Sequence, residues 1–155
     1  SWSKEVAASS QDWANTCAMA HGPPSSRMIR EGYQMGENLF QSTTPLTWTD
    51  VVTAWHSEYK NYKYGFGSIN GKSIGHYTQV VWYSSYKVGC GIAKCGDRYF
   101  YSCRYYRAGN FNGVAPYTEG VPCSACPQAC EDKLCSKCHY TAYCLPQRRI
   151  EQIPL

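Results

Sequence analysis

The chain has 155 residues, room for one compact domain and a small appendage, and its 10 cysteines exclude an ordinary reducing-compartment protein. Its 14 tyrosines and 5 tryptophans exclude disorder. The net charge of +4 is scattered, with Arg148-Arg149 the only adjacent basic pair, so there is no stripe for nucleic acid, and no apolar run approaches the roughly 20 residues needed to cross a bilayer.

In chain order, Lys4 to Ala20 reads as a helix, with Ser3 as its N-cap and Val6, Ser10, Trp13 and Cys17 on one face. Gly22-Pro23-Pro24 closes it. Trp48 to Lys60 reads as a second helix, where Thr47 and Asp50 form a capping-box pair and Val51 or Val52, Trp55 and Tyr59 make the buried stripe. Tyr77 to Trp82 is rich in β-branched and aromatic residues and is expected as a strand. Lys87–Ala93 and Arg98–Tyr105 are expected as a hairpin turning at Cys95-Gly96-Asp97. Helices first and strands later give an α+β class, with helices packed on an antiparallel sheet.

The cysteines divide the chain. Cys17, Cys90, Cys95 and Cys103 are sparse, whereas Cys123, Cys126, Cys130, Cys135, Cys138 and Cys144 are crowded. A globular domain is expected over 1–116, a cysteine-rich hinge over 117–144 and a flexible basic tail over 145–155. A segment as small as the hinge needs cross-links, because its core stabilises too little. The Cys-x2-Cys pairs at 123/126 and 135/138 also have the spacing of a structural zinc site. The intervening Cys130 and the oxidising composition favour disulfides. No Asn-x-Ser/Thr site occurs, so N-glycosylation is not expected.

Four local patterns resemble the CAP superfamily of cysteine-rich secretory, antigen 5 and pathogenesis-related proteins. They are Gly75-His76-Tyr77-Thr78-Gln79-Val80-Val81-Trp82, the run from Phe100 to Phe111, Gly36-Glu37-Asn38-Leu39, and Trp13-Ala14-Asn15-Thr16-Cys17. The resemblance covers essentially residues 1 to 138. The spacing Cys123-x2-Cys126-x3-Cys130-x4-Cys135 resembles the hinge of the cysteine-rich secretory subfamily. The channel-regulating domain that follows this hinge in those relatives is not expected here, which resembles truncated members acting as sperm attractants. The family's opening helix is also not found, since Ser1-Trp2 falls just before the next one. Met35 and Tyr106 stand where relatives carry a bonded cysteine pair, a joint loss that implies a looser tether near Glu37.

The resemblance implies an α-β-α sandwich, an antiparallel sheet between helices, followed by the stapled hinge. It implies bridges Cys17–Cys95, Cys90–Cys103, Cys123–Cys130 and Cys126–Cys135, leaving Cys138 and Cys144 to pair with each other. It also places His21, Glu37, Glu58 and His76 around a central cleft. Two imidazoles and two carboxylates are chemically suited to Zn²⁺ or to general acid/base work. Read alone, His21 is a helix C-terminal charge stabiliser and Glu58 a solvated helix residue.

No nucleophilic Ser or Cys is recognisable beside a base, so no catalytic residue is assigned and no enzyme is expected. No cofactor is required, with Zn²⁺ at the His21/His76 cleft as the candidate ion. The expected function is secreted binding or signalling at cell surfaces, extending to sperm chemotaxis and fertilisation. Ion-channel modulation, sterol or lipid binding and, last, metal-dependent hydrolysis are the alternatives. The expected partner is a cell-surface receptor, channel or membrane component, the sperm surface included, met by a monomer with no transmembrane segment.

Overall fold

The computed structural model describes residues 1–29, 32–124 and 126–135. Its centre is a three-stranded antiparallel sheet of β1 (Gly36–Ser42), β4 (Lys87–Cys95) and β5 (Arg98–Tyr106), in the order β1-β5-β4. Helix α1 (Lys4–Asn15) covers one face, and α2 (Trp48–His56) and α3 (Gly75–Val80) cover the other. The α+β class and the helix–sheet–helix layering are those the sequence implies. The small hairpin of β2 (Tyr62–Lys63) and β3 (Gly67–Ser68) lies between α2 and α3 in the chain.

Residue alternation along β5 assigns the two faces. Tyr99, Tyr101, Cys103 and Tyr105 pack with Val51 and Trp55 of α2 and Val80 of α3. On the other side, Arg104 bonds to Ser9 and Ser10 of α1, and Tyr106 joins Val6 in a second cluster. Helix α1 lies almost on the backbone of β4. A Cβ at Gly89 would meet the backbone of Ala7, and one at Gly91 the backbone of Gln11. Ser10 Oγ donates to the Gly89 carbonyl at 2.7 Å, and Gln11 bonds to both backbone groups of Ile92.

Three expectations need correction. The first helix ends at Asn15 rather than Ala20, because Cys17 and Met19 take the left-handed conformation and Cys17 is bridged to Cys95 at the end of β4. The second continues past His56 as a 3₁₀ turn over Ser57–Asn61, and Val51 rather than Val52 is its buried valine. Tyr77–Trp82 is not a strand. Its first four residues lie in α3, and the β propensity of its side chains is overridden by tertiary contacts described below. Strand β1 was not anticipated, although it carries the Gly36-Glu37-Asn38-Leu39 motif.

The hairpin of β4 and β5 turns on Gly96-Asp97 alone, with Gly96 at φ 63°. Cys90 and Cys103 face each other across this pair and are bridged. Met35 and Tyr106, which stand where relatives carry the bonded cysteine pair, are both fully buried and share one cluster with Val6.

Tyr117, the first residue of the expected hinge, is buried with Tyr77 and Val81 against Tyr62 and Tyr64. Beyond it Cys123 is bridged to Cys130, and Cys126 is itself disulfide-bonded. Cys130–Glu131 (β6) and Leu134–Cys135 (β7) form a short hairpin. Its turn residues Asp132 and Lys133 have φ of 50° and 65°, the positive pair of a type I′ turn. The side chain of Cys135, together with Cys138, Cys144 and the tail over 145–155, lies outside the described residues.

Candidate functional site

Glu37 and Asn38 are consecutive on edge strand β1, so their side chains leave opposite faces of the sheet. Each leads to one histidine. On the α1 face, Glu37 has no exposed side-chain surface. Its Oε1 accepts from His21 Nδ1 and from the Gly22 N–H, both at 2.9 Å, and its Oε2 accepts from Arg104 Nε at 2.9 Å.

Burial pushes the Glu37 carboxyl up. The hydrogen bonds from His21, Gly22 and Arg104, with the Arg104 charge, outweigh burial and hold it below its ordinary value. A carboxylate only accepts, so His21 Nδ1 donates the proton of this hydrogen bond. Arg104 is itself fully committed. Nη1 donates to Ser9 O, Ser9 Oγ and Ser26 O, Nη2 to Ser26 Oγ, and the guanidinium lies 5.6 Å from the Trp13 ring centroid.

On the other face, Asn38 Nδ2 donates to the His76 carbonyl at 3.0 Å. The His76 ring stacks on Trp55 with an interplanar angle of 16°, and Trp55 Nε1 donates to Leu39 O of β1. Glu58, in the 3₁₀ turn after α2, binds the start of α3. Its Oε1 pairs with His76 Nδ1 at 2.8 Å, and its Oε2 accepts the N–H groups of His76 and Tyr77 at 3.0 and 3.1 Å. This is how the β-prone run becomes helical. A carboxylate from a neighbouring element satisfies N–H groups that the first turn leaves free.

The structure therefore joins the four sequence-predicted residues as two His–Glu pairs, one on each side of the edge strand. Two partners escaped sequence reading. Arg104 sits among tyrosines within the Phe100–Phe111 run, where no local pattern assigns it a partner. Asn38 lies in a quoted motif but was given no role.

Comparison with known proteins decides the family. The profile of the CAP, or cysteine-rich secretory protein, family matches residues 1–105. The chain belongs to the CAP family. Venom allergen-like protein 4 of Schistosoma mansoni superposes with a TM-score of 0.66 at 30% identity, over 76% of this chain and 72% of its own. Na-ASP-1 gives 0.69 at 31% identity over 86% of this chain, which spans only 36% of that protein. NaASP2, solved with Zn²⁺, gives 0.67 at 29% identity over 80% of this chain and 68% of its own.

In this CAP protein neither histidine Nε2 has a hydrogen-bond partner among the described residues, and the His21 side chain is 59% exposed. A histidine fixed by a carboxylate at one nitrogen and open at the other has the form of a metal ligand with its supporting shell. However, no group of three or more His, Cys, Asp or Glu side chains among the described residues converges on one point. With two imidazoles alone, solvent would have to supply the rest of a Zn²⁺ shell, whereas catalytic zinc has three protein ligands.

Proposed function

We propose that the chain is a secreted, non-enzymatic recognition protein acting on cell surfaces, built as a CAP domain over 1–116 with a stapled hinge after it. One observation carries the non-catalytic part: the carboxylates of both His–Glu pairs are engaged in structural hydrogen bonds. Glu37 accepts three hydrogen bonds, one from a buried arginine, and Glu58 accepts three from His76 and Tyr77. A general base needs a lone pair directed at a substrate proton, and three of the roughly four acceptor sites on each carboxylate are already directed into the framework. A CAP family that is generally non-enzymatic supports the same reading.

The target to test first is the sperm surface. That choice rests on the hinge-type spacing of Cys123, Cys126, Cys130 and Cys135, which resembles cysteine-rich secretory proteins of reproductive tissue and the egg-jelly attractant allurin. The oxidised protein is placed in one well of a two-chamber assay, with a control at uniform concentration. Migration only along the gradient supports a sperm-directed signal, and no response from the disulfide-bonded protein removes it. Metal-dependent hydrolysis that disappears in His21→Ala would overturn the non-enzymatic reading. Zn²⁺ bound through His21 and His76 is compatible with recognition, and isothermal titration against His76→Ala measures it.

A further inference from the structure

A cleft of about 480 Å³ opens beside α3, walled by the β2–β3 turn and by the loop that follows β5. Its volume is in the range of small-ligand sites. It shares α3 with the His–Glu site, through Gly75 and Thr78, but none of His21, Glu37, Glu58 and His76 lines it. Both walls are tied down. On one, the Phe66 N–H donates to Lys63 O at 3.0 Å, and Phe66 stands between Gly65 and Gly67, whose φ of 72° and 91° glycine adopts freely. On the other, the Val114 N–H donates to Phe111 O at 3.1 Å. Asn110 fastens that loop to α3, accepting from Thr78 Oγ1 at 2.7 Å and donating to Gly75 O at 2.9 Å. The Phe111 ring meets the buried Trp82 ring at 6.0 Å between centroids.

Two observations say what the cleft holds. Rings are presented there rather than buried: Phe66 and Phe111 are 74% and 58% exposed, although each sits in a hydrogen-bonded turn. Neutral polar groups are interleaved with them. The Asn112 amide and the Tyr62 phenol belong to the lining, and a Cβ at Gly65, Gly67 or Gly113 would meet nothing within 4 Å, so the peptide groups there border open space. A hexose has the complementary surface, an apolar C–H face that stacks on a ring and a rim of hydroxyls that exchange hydrogen bonds with amides, phenols and peptide groups. A sterol or an acyl chain would cover the same polar groups and leave them without water or a partner. We propose that the cleft is a saccharide site, taking a hexose unit of a glycan with its C–H face on Phe66 or Phe111 and its hydroxyls on Asn112, Tyr62 and the glycine peptides. The turns already order both rings, so little freedom is lost on binding. The assignment goes beyond the cell-surface reading and does not depend on it.

The test is amide NMR of the full oxidised chain, titrated to millimolar concentration with the methyl glycosides of mannose, galactose and N-acetylglucosamine, and separately with cholesterol sulfate. At least one glycoside is expected to shift the amides of Phe66, Gly67, Phe111, Asn112 and Gly113 while those of His21 and His76 stay in place. Phe66→Ala, which removes the more exposed ring, should weaken binding about tenfold. Asn112→Ala should weaken it about fivefold. Trp2→Ala removes a ring that is 60% exposed outside the cleft and should leave binding unchanged. Unmoved amides beyond the cleft show that each variant is folded. Absence of cleft shifts with all three glycosides overturns the proposal, as does equal weakening by Trp2→Ala. Cleft shifts with the sterol alone would make it a lipid site and overturn the proposal equally. A sperm response from protein that binds no glycoside would fault the cleft assignment alone, and glycoside binding without a sperm response would fault the choice of target alone.

Discussion

Glu37 shows how one buried residue binds three parts of the chain: the loop after α1 through His21 and Gly22, strand β1 that carries it, and Arg104 on β5. Its carboxyl is held below the ordinary 4.5 in the folded protein. A lowered folded value means that the unfolded chain takes up the proton first. The stabilisation is therefore complete above about pH 4.5 and is lost as pH falls through the folded value. Replacing the carboxylate leaves Arg104, 1% exposed, as an uncompensated buried charge. Glu37→Gln is expected to cost about 3–5 kcal/mol at neutral pH. Urea unfolding across pH measures this, and the variant should lose less stability than the parent below pH 4.5. Sequence resemblance named His21, Glu37, Glu58 and His76. It could not name Arg104, because the partner of a buried charge is chosen by strand register, here Glu37 opposite Arg104.

At the scale of elements, local sequence was a sound guide where pattern and contacts agree. The Thr47–Asp50 pair does form a reciprocal capping box, and two hydrogen bonds from Thr47 hold the Asp50 carboxyl below its usual range. The hairpin expected from Lys87–Ala93 and Arg98–Tyr105 is likewise present as β4 and β5. The guide failed at α3. Val80 and Tyr77 favour strands, yet the Glu58 carboxylate and the Thr78–Asn110 hydrogen bond hold the segment as a helix. Both partners are distant in sequence and invisible to periodicity. Glu58→Ala should therefore act on this element more than on the molecule, costing about 2 kcal/mol through N–H groups left without an acceptor. Amide hydrogen exchange should rise first at His76 and Tyr77, while exchange in β5 stays protected. Uniform loss of protection would show that α3 does not depend on this carboxylate.

For the whole molecule, the decisive devices are connections between layers. Among the described residues the sheet has three strands, and α1 is held to it by glycine-permitted contact with β4 and by the Cys17–Cys95 bridge. That bridge spans 78 residues of chain, whereas Cys90–Cys103 spans 13 within a single hairpin. If the bridges act mainly by limiting the unfolded ensemble, their contributions follow loop length: about 4.5 kcal/mol for the first and about 3 kcal/mol for the second. Cys90–Cys103 has a second role, since Cys103 is buried in the α2 face beside Tyr101 and Tyr105. Its removal should leave a packing defect as well as a freer chain. The two double variants, Cys17→Ser with Cys95→Ser and Cys90→Ala with Cys103→Ala, separate these effects by urea unfolding. Loop closure alone predicts the larger loss at Cys17–Cys95, with α1 still docked through Ser10 and Gln11. A larger loss at Cys90–Cys103 would mean that packing between sheet and α2, rather than chain entropy, sets the stability of this small sandwich.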